Sequence, residues 1–195
     1  MKIAMYGGSF NPPHIGHLIV ADLVLKSINY DNVLFIPAKK HLNKVIESGA
    51  TDNDRVNMLK LMIKSDNRFL IEEYEINNDR ISYSIDTLKY LYSKYDSILD
   101  DKIALIIGAD LVSTFDKWKC AKDIASISNI VVVNRNNLPI EEEYNFSYYK
   151  MKKVNIPNID ISSSFIRNQI KSNSSFRYFL YNDVYNYIVS NDLYK

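Results

Sequence analysis

YGGSFNPPHIGHL, residues 6–18, begins at the last residue of the apolar segment KIAMY (2–6) and holds three glycines, two adjacent prolines and two of the three histidines of the chain. A strand, a glycine-rich turn and a helix together form the arrangement that binds phosphate in open α/β sheets, because backbone N–H groups and the positive helix end face the anion. His14 and His17 are spaced i,i+3 and share one helix face, where their N–H groups can donate to phosphoryl oxygens. The stretch therefore predicts a phosphate-binding loop, with packing or capping as the alternative role of a histidine.

Apolar and helical patterns alternate along the rest of the chain. Such alternation is typical of βαβ units, which build an open parallel sheet with helices on both faces. We therefore expect an α/β fold with a small C-terminal helical segment, in a single domain over residues 1–195. The polar segments 39–54 and 134–146 are expected to be loops, the first of them mobile. The predicted strands are 2–6, 32–38, 68–76, 102–110 and 129–135, and the predicted helices are 14–28, 52–65, 83–95, 120–127, 163–172 and 182–190.

The composition excludes several classes of protein. The 195 residues carry a formal net charge of +1, so bulk charge does not indicate a partner that is a nucleic acid or a membrane surface. Cys120 is the only cysteine, which excludes a disulfide framework and favours a reducing, cytoplasmic location. No apolar stretch is long enough for a signal peptide or a membrane span. Any anion must therefore be held by local groups.

Two common phosphate-binding motifs are absent from the sequence. A Walker A loop needs a Gly-Lys pair, and the chain has none. A dehydrogenase fingerprint needs G-x-G-x-x-G and an acidic residue ending the second strand, whereas the second predicted strand ends in Pro37-Ala38. A zinc site is not expected, because His41 is the only other histidine and Cys120 is far away in the sequence. The loop must hold phosphate in another way.

A second candidate segment is ISSSFIR, residues 161–167. Serines before an apolar-periodic segment form a helix N-cap, which presents hydroxyl groups and free N–H groups together. Arg167 follows one turn later, where its guanidinium can bind two phosphoryl oxygens. The alternative is an ordinary helix start. If both segments lie at the carboxyl edge of one sheet, they can form one site.

GGSFNPPHIGH resembles the signature of the H-x-G-H nucleotidyltransferases, most closely that of the bacterial nicotinate-nucleotide adenylyltransferases, and ISSSFIR is similar to their ISSTxIR motif. The resemblance implies a Rossmann-like fold of the nucleotidyltransferase type. Asn11 stands where aspartate is usual in the family. The resemblance also implies an ATP-binding set made of Gly7, Gly8, Ser9, Phe10, His14, His17, Gly108, Asp110, Ile161, Ser162, Ser163, Ser164 and Arg167.

The middle of the chain resembles the pyridine-nucleotide branch of that family. ISYSIDTL (81–88) and IIGADLVSTFDKW (106–118) look like its Ser-Tyr-Thr-x-Asp-Thr-Leu and Gly-x-Asp…Trp elements. The resemblance implies that Trp118 stacks on the pyridine ring and that backbone amides near Ser84 and just after Trp118 receive the nicotinate carboxylate. Arg135 matches a basic residue at the end of a strand.

Two further basic residues have counterparts in the family. HLNK (41–44) loosely resembles its Pro-Pro-His-Lys element, which assigns Lys44 to the acceptor phosphate or the leaving group. A solvated loop is the alternative for Lys44. Arg55 matches an arginine that opens a helix in relatives.

The activity implied by the resemblance is adenylyl transfer from ATP to nicotinate mononucleotide, which gives deamido-NAD and pyrophosphate. The expected catalytic residues are His14, His17, Arg167 and Lys44, and Mg²⁺ is the expected cofactor, without a dedicated protein metal site. The partners are small molecules, and the state is monomer or homo-oligomer. The alternatives are adenylyl or cytidylyl transfer to another phosphate acceptor, such as nicotinamide mononucleotide or phosphopantetheine, or a non-catalytic nucleotide-binding module.

Overall fold

The computed structural model describes residues 1–39, 49–134 and 144–195, without the side chains of Tyr144 and Phe146. Its secondary structure alternates between strands and helices, as the sequence predicts. The strands are β1 (Ile3–Gly8), β2 (Asn32–Pro37), β3 (Phe69–Ile71), β4 (Ala104–Gly108), β5 (Asn129–Val133) and β6 (Lys152–Val154). The helices are α1 (Ile15–Ile28), α2 (Asp52–Ile63), α3 (Tyr74–Asn77), α4 (Ser84–Tyr95), α5 (Ala121–Ile127), α6 (Tyr144–Tyr148), α7 (Ser163–Lys171) and α8 (Asn182–Ser190), with 3₁₀ turns at Asp96–Ile98, Ala109–Lys117 and Arg177–Phe179.

The six strands form one parallel sheet in the order β3-β2-β1-β4-β5-β6. This order reverses direction at β1, whose neighbours are β2 and β4. Open sheets of this kind bind ligands at the carboxyl ends of the strands beside the reversal point. Gly8 ends β1 and Gly108 ends β4, so the predicted phosphate loop starts at this point. The expectation of an open, Rossmann-like parallel sheet is confirmed.

Helices cover both faces of the sheet, because successive side chains of a strand point to opposite sides. In β1, Ala4 belongs to a core cluster shared with α1, α2, α7 and α8. Ile3 and Met5 belong to a second cluster shared with α4 and α5. The strands are therefore buried on both sides, which explains their continuous apolar runs. No helix of the described residues is both long and apolar enough to cross a membrane.

Some predicted boundaries are wrong, mostly at the sheet edges. The strand predicted over 68–76 ends at Ile71, because the chain turns into helix α3. The strand predicted over 102–110 ends at Gly108, where a 3₁₀ turn begins. Short β6 contains two lysines, as is common for edge strands, and it has no apolar run to reveal it.

The two predicted loops are also shorter than expected. Thr51 caps helix α2, so the end of the 39–54 segment is helical, and α6 occupies the end of the 134–146 segment. Residues 40–48 and 135–143 lie outside the described residues. The prediction of a mobile loop therefore stays a prediction.

Candidate active site

A cleft of about 1070 Å³ opens at the carboxyl ends of β1 and β4. Its lining comes from the loop after β1, the start of α1, the end of β4 and the start of α7. The structure thus brings together segments that are about 150 residues apart in the chain. All thirteen residues expected to bind ATP line this cleft: Gly7, Gly8, Ser9, Phe10, His14, His17, Gly108, Asp110, Ile161, Ser162, Ser163, Ser164 and Arg167.

Two glycines that flank the loop, one at the end of β1 and one in the first turn of α1, lie in closely packed positions. A Cβ atom on Gly16 would lie 3.0 Å from Nδ1 of His14 and 3.1 Å from Cγ2 of Ile159. A Cβ atom on Gly8 would lie 3.0 Å from the ring of Phe10, which is itself buried. The glycine between the two histidines therefore allows the His14 ring to lie against the first turn of α1.

The two histidines contact each other at the start of α1. His14 is the N-cap residue, and its backbone N–H donates to Nδ1 of His17 at 3.0 Å. The two ring centroids are 3.7 Å apart. An imidazole whose Nδ1 accepts a hydrogen bond carries its proton on Nε2. His17 can therefore act at the same time as an acceptor for the helix cap and as an Nε2–H donor to a ligand.

Helix α7 closes the other side of the cleft. The Ser162 hydroxyl accepts a hydrogen bond from the backbone N–H of Phe165 at 3.1 Å, which is the predicted N-cap. The Ser163 hydroxyl donates to the carbonyl oxygen of Pro12 at 2.8 Å. The hydrogen bond from Ser163 to Pro12 thus joins the two predicted motifs directly.

Arg167 also links the two motifs. Its Nη1 donates to the carbonyl oxygen of Asn11 at 2.8 Å, and its Nη2 donates to the Ser164 hydroxyl at 3.1 Å. Within the described part of the chain, Arg167 has no carboxylate partner. A guanidinium carries five N–H donors, so it has donors left for a ligand. Its positive charge is available for a phosphate group.

The cleft is electropositive. Among its described lining residues, the cations are Lys39, Arg167 and Lys171, and the only carboxylate is Asp110. Lys39 forms an ion pair with Asp79 outside the lining, so the positive charge in the cleft comes mainly from Arg167 and Lys171. Lys171 lies one helical turn beyond Arg167, on the same face of α7. The i,i+4 spacing of Arg167 and Lys171 is visible in the sequence, but the predicted site included only Arg167.

The buried side chain of Arg55 holds the loop after β1 in place through hydrogen bonds. Its side chain is 0 % exposed and donates to the carbonyl oxygens of Ser9 at 2.5 Å and Ala38 at 2.6 Å. A third hydrogen bond joins it to Asp52 at 2.6 Å. One buried guanidinium therefore ties the loop after β1 to the loop after β2. The sequence marked Arg55 only as the opening of a helix.

Two of the residues expected to bind the acceptor, Ser84 and Trp118, are described, and neither is in the lining of the cleft. Trp118 is half-buried, with its ring 5.2 Å from that of Phe115. Lys119, the next residue, lies 4.4 Å above the Tyr83 ring, and Ser84 directly follows Tyr83 at the start of α4. The segments carrying Ser84 and Trp118 are therefore adjacent.

Two predicted basic residues are not described by the structure, and one buried residue near the loop was not predicted. Lys44 and Arg135 lie outside the described residues. Across the described ranges, no group of three or more His, Cys, Asp or Glu side chains could hold a metal ion. Tyr194 is a buried residue beneath the loop that no sequence pattern indicated.

Comparison with known proteins identifies the family. A family model described as Cytidylyltransferase-like matches residues 5–169. A protein of Borreliella afzelii (strain PKo) named "Probable nicotinate-nucleotide adenylyltransferase" is 39% identical over 194 residues, which cover 100% of this chain and 97% of that protein. A protein of the same name from Borrelia turicatae (strain 91E135) is also 39% identical, over 100% of this chain and 98% of its own.

A solved structure agrees at the level of the fold. Plasmodium falciparum nicotinic acid mononucleotide adenylyltransferase, in complex with NaAD, superposes with a TM-score of 0.82. The two sequences are 18% identical, and the match covers 99% of this chain and 97% of the other. The fold is that of a nucleotidyltransferase. The chain belongs to the cytidylyltransferase-like family, within its nicotinate-nucleotide adenylyltransferase branch.

Proposed function

We propose that this protein transfers the adenylyl group of ATP to the 5′-phosphate of nicotinate mononucleotide, giving deamido-NAD and pyrophosphate. The observation that carries the proposal is the convergence of His14, His17 and Arg167 on one electropositive cleft at the reversal point of the sheet. The names of the full-length relatives support the choice of acceptor.

The chemistry needs no general base. The attacking phosphate of the acceptor is already an anion at neutral pH, and it attacks the α-phosphorus of ATP while pyrophosphate leaves. The protein has to bring two anions into line and to neutralise the charge that develops on the phosphoryl oxygens. The hydrogen bonds that hold the loop from Arg55, Ser163 and Arg167 serve this purpose, because they fix the donors before the substrates bind.

We assign the residues of the cleft as follows. His14, His17 and Arg167 bind the triphosphate, with the Nε2–H of His17 as a donor to a phosphoryl oxygen. The glycine loop and the serines of α7 bind ATP through N–H and hydroxyl groups. Lys44 approaches the acceptor phosphate or the leaving group. Together these groups stabilise negative charge that increases in the transition state.

Mg²⁺ fits this cleft as a partner of ATP. Magnesium prefers oxygen ligands, keeps several waters and needs only one or two carboxylates beside the substrate phosphates. Asp110 is the one carboxylate among the described lining residues, and we assign it to the ion. When bound, the ion neutralises phosphate charge. Removal of divalent metal with EDTA is therefore expected to abolish turnover, and added MgCl₂ to restore it.

The acceptor is assigned to the region beside the cleft. Trp118 stacks on the electron-poor pyridine ring, which suits an indole, and backbone amides near Ser84 and after Trp118 receive the carboxylate. We also assign Arg135 to this region. The single, exposed Cys120 suits a reducing compartment, and we place the reaction in the cytoplasm.

A parallel assay tests the proposal. Pyrophosphate release is measured with ATP and Mg²⁺ and one of three acceptors: nicotinate mononucleotide, nicotinamide mononucleotide or phosphopantetheine. We expect the highest kcat/KM with nicotinate mononucleotide. A higher kcat/KM with phosphopantetheine would indicate that the protein belongs to another branch of the superfamily. Absence of release with all three, from protein that still binds ATP, would indicate a non-catalytic nucleotide-binding module.

A further inference from the structure

The side chain of Tyr194 lies buried beneath the phosphate loop. It is 2% exposed, and its hydroxyl donates to Oδ1 of Asn11 at 2.7 Å. Burial raises the pKa of Tyr194 above its ordinary value, so the hydroxyl keeps its proton and remains a donor. The hydrogen bond therefore has a defined direction, from the tyrosine to the amide oxygen.

The backbone around Tyr194 is tightly constrained. Its φ is +70°, which bulky residues rarely adopt. A Cβ atom on Gly49 would lie 2.8 Å from the Tyr194 nitrogen, so this chain segment packs closely against the segment that leads into α2. A residue held in an unfavourable conformation by its surroundings is a reason to look for a function.

Asn11 connects Tyr194 to the cleft. It lines the cleft although it is only 6% exposed. Its carbonyl oxygen accepts a hydrogen bond from Arg167, and its Oδ1 accepts one from Tyr194. Its Nδ2 has no hydrogen-bond partner among the described residues. Because the amide group is planar, fixing Oδ1 also fixes the direction of the two Nδ2–H donors.

We propose that Tyr194 is a positioning residue for adenylyl transfer, which holds the Asn11 amide so that Nδ2 donates to a phosphate oxygen of ATP. Asn11 Nδ2 is not among the buried unpartnered atoms, so its N–H donors are accessible from the cleft that Asn11 lines, where a bound anion can accept from them. Arg167 is anchored on the same residue, so the neutral donor and the cation act on neighbouring phosphate oxygens. This inference rests on the proposed function for its substrate.

The test compares four proteins: wild type, Tyr194→Phe, Asn11→Asp and Tyr92→Phe. Tyr92 is the matched control, because its hydroxyl also makes hydrogen bonds inside the protein, here with backbone groups of Ile103 and Ile127, and Tyr92 is not in the cleft lining. ATP binding is measured by calorimetry with and without Mg²⁺, and KM and kcat are measured for both substrates. Thermal unfolding of each variant reports on its fold.

We expect Tyr194→Phe to weaken ATP binding and to lower kcat/KM for ATP by about tenfold, with an unchanged KM for nicotinate mononucleotide. Tyr92→Phe loses thermal stability but keeps wild-type ATP binding. A folded Tyr194→Phe protein that binds ATP as tightly as wild type would overturn the inference. A loss of ATP binding in Tyr92→Phe equal to that in Tyr194→Phe would overturn it too, since the effect would then be only structural.

Asn11→Asp tests the same contact from the cleft side. The tyrosine hydroxyl can still donate to the carboxylate, but the Nδ2–H donors are replaced by negative charge. ATP binding is expected to fall by at least about tenfold, and unchanged binding would contradict the inference even if Tyr194→Phe does not fold. Failure of the proposed function is a separate outcome, because wild-type protein would then release no pyrophosphate while the binding measurements still decide the role of Tyr194.

Discussion

Arg167 donates a 2.8 Å hydrogen bond to the carbonyl oxygen of Asn11, a residue 156 positions earlier in the chain. The bond joins the helix that carries the arginine to the loop that carries the histidines. It also fixes the guanidinium at the edge of the cleft, with further N–H donors available to a ligand. The geometry of the site therefore depends on a contact between two distant motifs.

Replacement of Arg167 by lysine should damage ATP use although the charge is kept. An ammonium group is a point charge, so it cannot hold Asn11, Ser164 and a phosphate in one planar arrangement. We expect kcat/KM for ATP to fall about a hundredfold, as measured by initial rates at varied ATP. Arg177→Lys, at an exposed arginine on another turn, is the control and should behave as wild type. Full activity in the Arg167→Lys variant would show that the reaction does not need the planar guanidinium with its several N–H donors.

Substitution of His17 by alanine should lower kcat at least about a hundredfold, because one preorganised donor to the transition state is lost. The substitution also removes the acceptor for the His14 backbone N–H, which costs about 1 kcal/mol of stability. Thr51→Ala removes a comparable cap from α2 and serves as the stability control. If both variants lose stability equally and both keep their turnover, His17 has only a capping role.

Arg55→Met should destabilise the protein and loosen the phosphate loop. The substitution leaves the carbonyl oxygens of Ser9 and Ala38 without their donor, and loss of one partner from a buried ionic contact costs about 3 kcal/mol. Urea unfolding measures this loss, and KM for ATP should rise in parallel. Lys60→Met, on the same helix but at an exposed ion pair with Glu73, should cost less than about 1 kcal/mol. Equal costs for the two variants would contradict the role of Arg55.

Trp118→Ala should affect the acceptor and not ATP. Loss of ring stacking is expected to raise KM for nicotinate mononucleotide about tenfold, while Trp118→Phe keeps much of the affinity. The measurement is the KM of each substrate at saturation of the other. Tyr178→Ala is the control, because this aromatic ring is 82% exposed and no role is assigned to it. An equal rise in both KM values would mean that Trp118 only supports the fold.

The individual motifs could be found in the sequence because each has a local pattern. The turn at Gly8 and the helix start at His14 follow from glycine, proline and strand signals within a few residues. The cap at Ser162 is equally local. The alternation of apolar and helical segments was sufficient for the parallel sheet with helices on both faces. The residue roles and the single domain remain predictions.

The edge strands were predicted less well than the central ones. The apolar run that predicts a strand at 68–76 does not show that β3 ends after three residues, and β6 is rich in lysine and has no apolar run at all. Their pairing is decided by the neighbouring strand of the sheet. The strand between 68 and 76 was consequently predicted too long.

The sequence by itself determined the class of fold, the glycine-rich turn after β1 and the serine-capped helix that carries Arg167, because these depend on the conformational preferences of neighbouring residues. Only the tertiary structure decided that Arg55, Arg167 and Tyr194 all hold the same loop. Each of these contacts is a single hydrogen-bonding group brought from a distant element by the packing of helices on the sheet. Such contacts have no period and no fixed spacing, so nothing in the local sequence could reveal them.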